Sequence, residues 1–171
     1  MKQSIAYSRC ASPLGEMLLV AADDALSGVY FSGQKYHPAV AATWHLDHED
    51  PVLHAARMQL AEYFAGQRTR FALPLAPVGT PFQRAVWSGI ATVPAGATIS
   101  YTELALRAGH PGCVRAAGAA TGRNPWSIVI PCHRIVGADG ALVGYAGGLE
   151  RKRSLLALER AANDSAARRA A

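Results

Sequence analysis

Residues 100–122 read SYTELALRAGHPGCVRAAGAATG. Ser100-Tyr101-Thr102-Glu103 has the form of a capping box, in which a hydroxyl and a carboxylate three residues apart each satisfy the other's backbone N–H at a helix start. Gly109-His110-Pro111-Gly112 breaks that helix early. A second helix is expected to begin near Pro111–Cys113 and run to about Gly122. Two short helices joined by a tight glycine-containing turn are the sequence form of a helix-turn-helix. The second helix is nearly bald, because Arg115 is followed by Ala116, Ala117, Gly118, Ala119 and Ala120. Small side chains let a helix backbone come close to another surface, either a neighbouring helix or a ligand.

Downstream, Ser127–Ile130 reads as a buried strand stopped by Pro131. A last helix is expected after Gly147-Gly148, with Leu149, Arg153, Leu156 and Arg160 on one face and Leu155 and Glu159 on an adjoining one. Upstream, Thr80-Pro81-Phe82-Gln83 is a capping box with proline at the first helical position. Phe82, Val86, Ile90 and Val93 then form an inward stripe. Leu73–Gly79, with two prolines and no charge, is the linker candidate. Before it, Ser4–Ser8, Met17–Ala22 and Gly28–Phe31 are short apolar or alternating runs separated by turn residues, which predicts a small antiparallel sheet. Residues 34–50 read as loop. Pro51 opens a helix to Phe64, with Val52, Ala55, Ala56, Gln59, Leu60 and Tyr63 in helical repeat, and Gly66 ends it. The expectation is an α/β protein: a small N-terminal α/β domain with an antiparallel sheet (1–75), a linker (76–79), and a mostly helical C-terminal domain (80–162). That second domain carries the helix-turn-helix and a short active-site strand, and 163–171 form a frayed tail.

Charge separates the halves. Residues 1–99 are neutral, whereas 100–160 carry eight basic side chains (Arg107, Arg115, Arg123, Arg134, Arg151, Lys152, Arg153, Arg160) against four acidic ones. The second half is therefore the one suited to a polyanion. Three cysteines without CxxC spacing argue against a disulfide framework and fit a reducing compartment. No apolar run approaches a membrane span, and MKQSIAYSRCASPLGE lacks the apolar stretch of a signal peptide, so a cytoplasmic protein is expected. Cys10 with His37, His45, His48 and His54 matches no zinc spacing, so no metal is expected.

The chemistry centres on Ile130-Pro131-Cys132-His133-Arg134. A thiol attacks as thiolate, and a nearby imidazole can take its proton, directly or through one water. Cys132 and His133 would point to opposite faces of a strand, but a turn after Pro131 lets both face one pocket. A third group must orient the imidazole, and Glu159 is the carboxylate of choice.

Pro131-Cys132-His133-Arg134, Ile99-Ser100-Tyr101, Arg115-Ala116-Ala117-Gly118, Asn124-Pro125 and Gly144-Tyr145-Ala146-Gly147-Gly148 occur in one order over Pro81–Glu159. This segment resembles the O6-alkylguanine-DNA alkyltransferases, the methylated-DNA–protein-cysteine methyltransferases. The first half resembles them only loosely, in size and in the Ser12-Pro13-Leu14-Gly15 turn. The resemblance implies direct, single-turnover repair: an alkyl group moves from O6-alkylguanine, with O4-alkylthymine as a second candidate substrate, to Cys132 without a cofactor. It implies that His133 deprotonates Cys132, oriented by Glu159, and that Asn124 braces the turn between reading helix and acceptor. Tyr101 would assist base flipping and hydrogen-bond the extruded base, and Arg115 would enter the vacated stack. Ala116, Gly118, Ala119 and Arg123 would complete a minor-groove surface, with Tyr145, Ala146 and Gly147 lining the base pocket. The partner would be double-stranded DNA bound by a monomer, with cooperative binding open. Ala117 and Thr121 depart from the family's commoner residues as packing changes, and Ala146 lacks the hydroxyl found in some members. Without a cysteine-rich zinc domain, a stand-alone repair protein is expected. The rival readings are a lesion-binding relative without chemistry and a Cys-His hydrolase. Cys132 speaks against the first, and the helix-turn-helix has no role in the second.

Overall fold

The computed structural model describes residues 4–171. The chain divides into two compact units: residues up to Val78 together with Pro125–Val129, and Gly79–Asn124 together with Ile130–Ala171.

The first unit is built on a four-stranded sheet ordered β3-β2-β1-β4, with β1 Ile5–Cys10, β2 Met17–Ala22, β3 Ala25–Phe31 and β4 His45–Leu46. The three long strands are antiparallel, as the alternating runs predict. The two-residue β4 pairs in parallel with β1 inside the stretch expected to be loop. Asp23 and Asp24 turn the β2–β3 hairpin at φ +49° and +60°. Aspartate tolerates this left-handed geometry because its short polar side chain bonds locally. All of β2 is buried. Helix α1 (Pro51–Phe64) starts at Asp50, whose carboxylate accepts from the N–H groups of Val52 and Leu53 at 2.9 Å each. Its buried face is Leu53, Ala56, Leu60 and Tyr63, rotated from the expected stripe so that Val52, Ala55 and Gln59 sit at its margin.

The linker candidate is tied down through Ala76. Leu26 N–H donates to Pro74 O at 2.7 Å, and Ala76 N–H donates to Leu26 O at 2.9 Å. A second segment, Pro125–Val129, lies along the same strand, with Trp126 bridged to Val29. Ser127–Ile130 is therefore not the expected buried strand of the helical unit. Val129 N–H folds back onto Ser127 O at 2.9 Å, making a γ-turn around Ile128 at φ +71°. That conformation costs a β-branched residue about 1–3 kcal/mol, so its surroundings must impose it.

The second unit comprises α2 (Pro81–Ala91), β5 (Ile99–Ser100), α3 (Tyr101–Arg107), α4 (Val114–Gly122), one 3-10 turn (Cys132–Arg134), β6 (Ile135–Val136) and α5 (Leu149–Ala170). The capping box of α2 forms: Thr80 Oγ1 accepts from Gln83 N–H, and Gln83 Oε1 accepts from Thr80 N–H. On α3 only half of the expected box appears. Ser100 Oγ accepts from Glu103 N–H at 3.1 Å, while the Glu103 carboxylate turns to Arg107 one helical turn on. Charge attraction at i, i+4 draws it away from the backbone. Gly109 and Gly112, at φ +77° and +87°, shape the turn into α4. Trp87, absent from the expected α2 stripe, is buried and donates Nε1–H to Ala120 O at 2.9 Å.

The short strand near Cys132 follows it, as Ile135–Val136, and pairs in parallel with Ile99–Ser100. Helix α5 buries Lys152, Leu155, Leu156 and Glu159, whereas Leu149, Arg153 and Arg160 are exposed. It continues to Ala170, so the tail expected to fray is helical. Alanine and arginine are strong helix formers, and Asn163 Nδ2–H donates to Ala95 O at 2.8 Å in the first turn beyond the expected end. No helix among the described residues is long and apolar enough to cross a membrane.

Candidate active site and nucleic-acid interface

Two consecutive turns place the cysteine. Cys132 N–H donates to Ile130 O at 2.8 Å around Pro131, at φ −82° and ψ 63°. This is the relaxed, negative-φ γ-turn, and the proline ring already favours its φ. Cys132, His133 and Arg134 then form the single 3-10 turn, so neighbouring side chains need not alternate as they would in a strand. All three are buried.

Asn124 closes the loop that these turns make. Its Nδ2 group donates to Ile130 O at 2.8 Å and to Cys132 Sγ at 3.2 Å. Burial pushes the Cys132 thiol above its ordinary range, opposed by the Asn124 hydrogen bond and by the charge of Lys152. The resting sulfur is a thiol held where its thiolate has a donor waiting.

His133 Nε2 lies 2.7 Å from Glu159 Oε1. Burial alone would raise the Glu159 carboxyl, but hydrogen bonds from His133 and Arg134 hold it far below the carboxylate range. An ionised carboxylate only accepts, so Nε2 carries the proton and donates it. In the neutral ring Nδ1 is then the basic nitrogen. It is buried and has no hydrogen-bond partner among the described residues. Burial lowers the His133 pKa, with Glu159 opposing, so the imidazole is neutral and able to accept a proton. Glu159 further accepts from Arg134 Nε at 2.9 Å, from the Arg134 guanidinium at 2.8 Å and from Gly96 N–H at 3.2 Å. The expected pairing of His133 with Glu159 is present, and Arg134 locks it.

Lys152 was singled out by the sequence only as one positive charge among eight. It is fully buried, and Nζ donates to Ile135 O at 2.5 Å and Gly144 O at 3.0 Å. It thereby ties Gly144, next to Tyr145, to β6. Burial pulls its pKa down to about 8, while the charge of Cys132 favours the ammonium. Its one available signal was position: Lys152 and Glu159 are seven residues apart and share the buried face of α5.

Tyr101 opens α3 and donates its hydroxyl to Val143 O at 3.1 Å. Burial, and secondarily Cys132, raise its pKa. The ring lies beside Gly118 of α4, where an added Cβ would stand 3.8 Å from it. Tyr145 meets the His133 ring edge-on, with centroids 6.5 Å apart, Ala146 is half-buried, and Gly147 is buried. On α4 the sides divide cleanly. Ala117, Ala120 and Thr121 are buried, whereas Arg115, Ala116, Ala119 and the capping Arg123 are exposed, with Gly118 half-buried between. The sequence departures at Ala117 and Thr121 thus lie on the packed side. The exposed side is small-residued and framed by two arginines. Among the described residues no group of three or more metal-ligating side chains converges.

Comparison with known proteins matches both halves. Residues 81–161 fit the family model of the 6-O-methylguanine DNA methyltransferase DNA-binding domain. Residues 5–77 fit that of the 6-O-methylguanine DNA methyltransferase ribonuclease-like domain, a stronger first-half match than the loose resemblance expected. A methylated-DNA–protein-cysteine methyltransferase of Mycolicibacterium paratuberculosis is 45% identical over 157 residues, covering 91% of this chain and 93% of the relative. The constitutive methylated-DNA–protein-cysteine methyltransferase of Bacillus subtilis is 40% identical, covering 90% and 94%. The crystal structure of Mycobacterium tuberculosis OGT in complex with DNA superposes with a TM-score of 0.84 at 40% identity, covering 92% of this chain and 94% of that one.

Proposed function

The chain belongs to the methylated-DNA–protein-cysteine methyltransferases, DNA-binding repair enzymes that move an alkyl group from DNA onto a cysteine, and we propose that Cys132 is that acceptor, served by His133, Glu159 and Asn124. The observation that carries this reading is the Asn124 amide at 3.2 Å from the buried Cys132 sulfur, on the same turn as an imidazole held by an ionised carboxylate. His133 Nδ1 takes the thiol proton through one water, and Glu159 stabilises the imidazolium that results. The sulfur then attacks the alkyl carbon on O6. The S–C bond forms as the C–O6 bond breaks, and its electron pair stays on guanine, which takes up a proton. Tyr101 is positioned to hydrogen-bond the extruded base. The thioether offers water no leaving group it can expel at a useful rate, so each chain acts once. Substrate and thiol supply every atom and electron, and no cofactor enters.

A base inside a duplex cannot present O6 in line to this sulfur, so the nucleotide must be flipped out. The exposed face of α4 supports minor-groove binding, since Ala116, Gly118 and Ala119 leave little bulk to clash with a narrow groove. Arg115 enters the stack, Arg123 meets phosphate, and Tyr145, Ala146 and Gly147 line the pocket. The protein acts as a monomer in the reducing cytoplasm, where Cys132 stays free. Mass spectrometry after incubation with an O6-methylguanine duplex tests the core of this reading. One methyl group per chain, on the peptide containing Cys132, is expected. Sustained turnover, or the adduct on Cys10 or Cys113, overturns it.

A further inference from the structure

Pro125–Val129 groups with the first unit, although the residues on either side of it group with the second. The segment is held along β3. Val29 N–H donates to Pro125 O at 2.8 Å, Ser127 N–H to Val29 O at 3.1 Å, and Trp126 Nε1–H to Leu26 O at 2.8 Å. The Ser127 hydroxyl donates to Gln34 Oε1 at 3.2 Å, and the same oxygen accepts Phe31 N–H at 2.7 Å. Gln34 and Ser127 are both buried, so water does not readily replace the bond between them. Directly after this anchor comes Ile128 at φ +71°, a conformation that isoleucine does not choose for itself. One end of the segment is Asn124. The other leads through Ile130 and Pro131 to Cys132, and the Asn124 amide spans the two ends.

We propose that Gln34, acting through Ser127, is a positioning residue for the alkyl transfer. Together they hold the left-handed turn at Ile128, and that turn sets the reach between Asn124 and the Cys132 sulfur. The first unit thereby contributes to the chemistry without supplying a reacting group. This inference rests on Cys132 being the acceptor. If the anchor is lost, the Ile128 turn relaxes, the Asn124 N–H no longer favours the thiolate, and ionisation requires a higher pH.

The test is the single-turnover rate with the free base O6-benzylguanine, followed across pH at a temperature where each variant is folded. Gln34→Ala and Ser127→Ala are expected to slow transfer near neutral pH by about tenfold, ~1.4 kcal/mol, and to move the pH midpoint of the rate upward. Ser127→Thr keeps the hydroxyl that forms the bond and is expected to restore most of the rate. Leu60→Ala, in the core face of α1, is expected to lower Tm and leave the midpoint in place. If Gln34→Ala does not fold, Ser127→Ala, which deletes one hydrogen bond, carries the test. An unmoved midpoint in the alanine variants, or an equal shift in Leu60→Ala, overturns the positioning role. Peptide mapping of the wild-type product is read first: an adduct away from Cys132 removes the acceptor reading itself, and this inference with it.

Discussion

His133 and Glu159 give the site an acid sensitivity whose sign follows from burial. The His133 pKa lies below its ordinary value because burial disfavours the imidazolium. Unfolding lets it bind a proton, so stability falls as pH drops from the ordinary histidine range toward the folded value. Burial would raise Glu159, but its hydrogen bonds from His133 and Arg134 overcome this and hold it down. Its contribution is complete above the ordinary carboxylate range and is lost as pH falls through its depressed folded value. Urea unfolding at stepped pH is therefore expected to show falling stability on acidification, and Glu159→Gln is expected to flatten the lower part of that curve. An unchanged curve in Glu159→Gln would remove the carboxylate from the account. The same variant weakens the base proposed to ionise Cys132, so transfer from free base and from duplex should slow together. Lys152 is expected to matter as much to structure as to rate. Lys152→Met leaves the buried carbonyl of Ile135 without its donor, at about 1–3 kcal/mol, and releases the tie to Gly144 O. A Tm unchanged by that substitution would show that these carbonyls find other partners.

At the scale of elements, α4 is the surface proposed to meet DNA. Gly118→Ala separates its fold from its function. The added methyl meets the Tyr101 ring at an ordinary 3.8 Å, so it fits within the protein. Replacing a mid-helix glycine by alanine stabilises the helix by about 1 kcal/mol. The variant is therefore expected to gain a little Tm and lose DNA affinity, because the methyl thickens the face proposed to enter the groove. Unchanged affinity measured by fluorescence anisotropy would move the DNA surface off α4. Arg115→Ala is expected to slow transfer from duplex DNA tenfold or more while leaving the free base nearly unaffected, since only the duplex needs the vacated stack filled. Equal slowing on both substrates would make Arg115 part of the pocket or the fold. The exposed arginines of this half also imply affinity that falls steeply with salt.

For the whole molecule, the reaction is expected to cost stability. A methyl group on Cys132 adds volume to a close-packed turn beside the Asn124 amide. Overpacking costs about 1–3 kcal/mol, and each kcal/mol is worth about 2–4 °C in a chain of this size. Calorimetry of the alkylated product should show a Tm lowered by several degrees, and an equal or higher Tm would mean that the turn has room to spare. What the sequence determined alone was local. Capping residues, glycine breaks and the apolar stripes of α1 and α2 placed the helices, and the Pro131–Arg134 run marked the candidate thiol, because those signals act within a few residues of chain. Tertiary structure decided what depends on groups distant in sequence. Ser127–Ile130 is apolar enough for a strand, yet bonding to Leu26, Val29 and Gln34, about 100 residues earlier, folds it into a turn. Arg134 and Lys152 counted in the sequence only as basic charges, and it is a carboxylate and a set of backbone carbonyls, brought together by α5 and β6, that make it favourable to bury them. Burial of a charge is decided by its partners, and partners so far apart in sequence meet only in the fold.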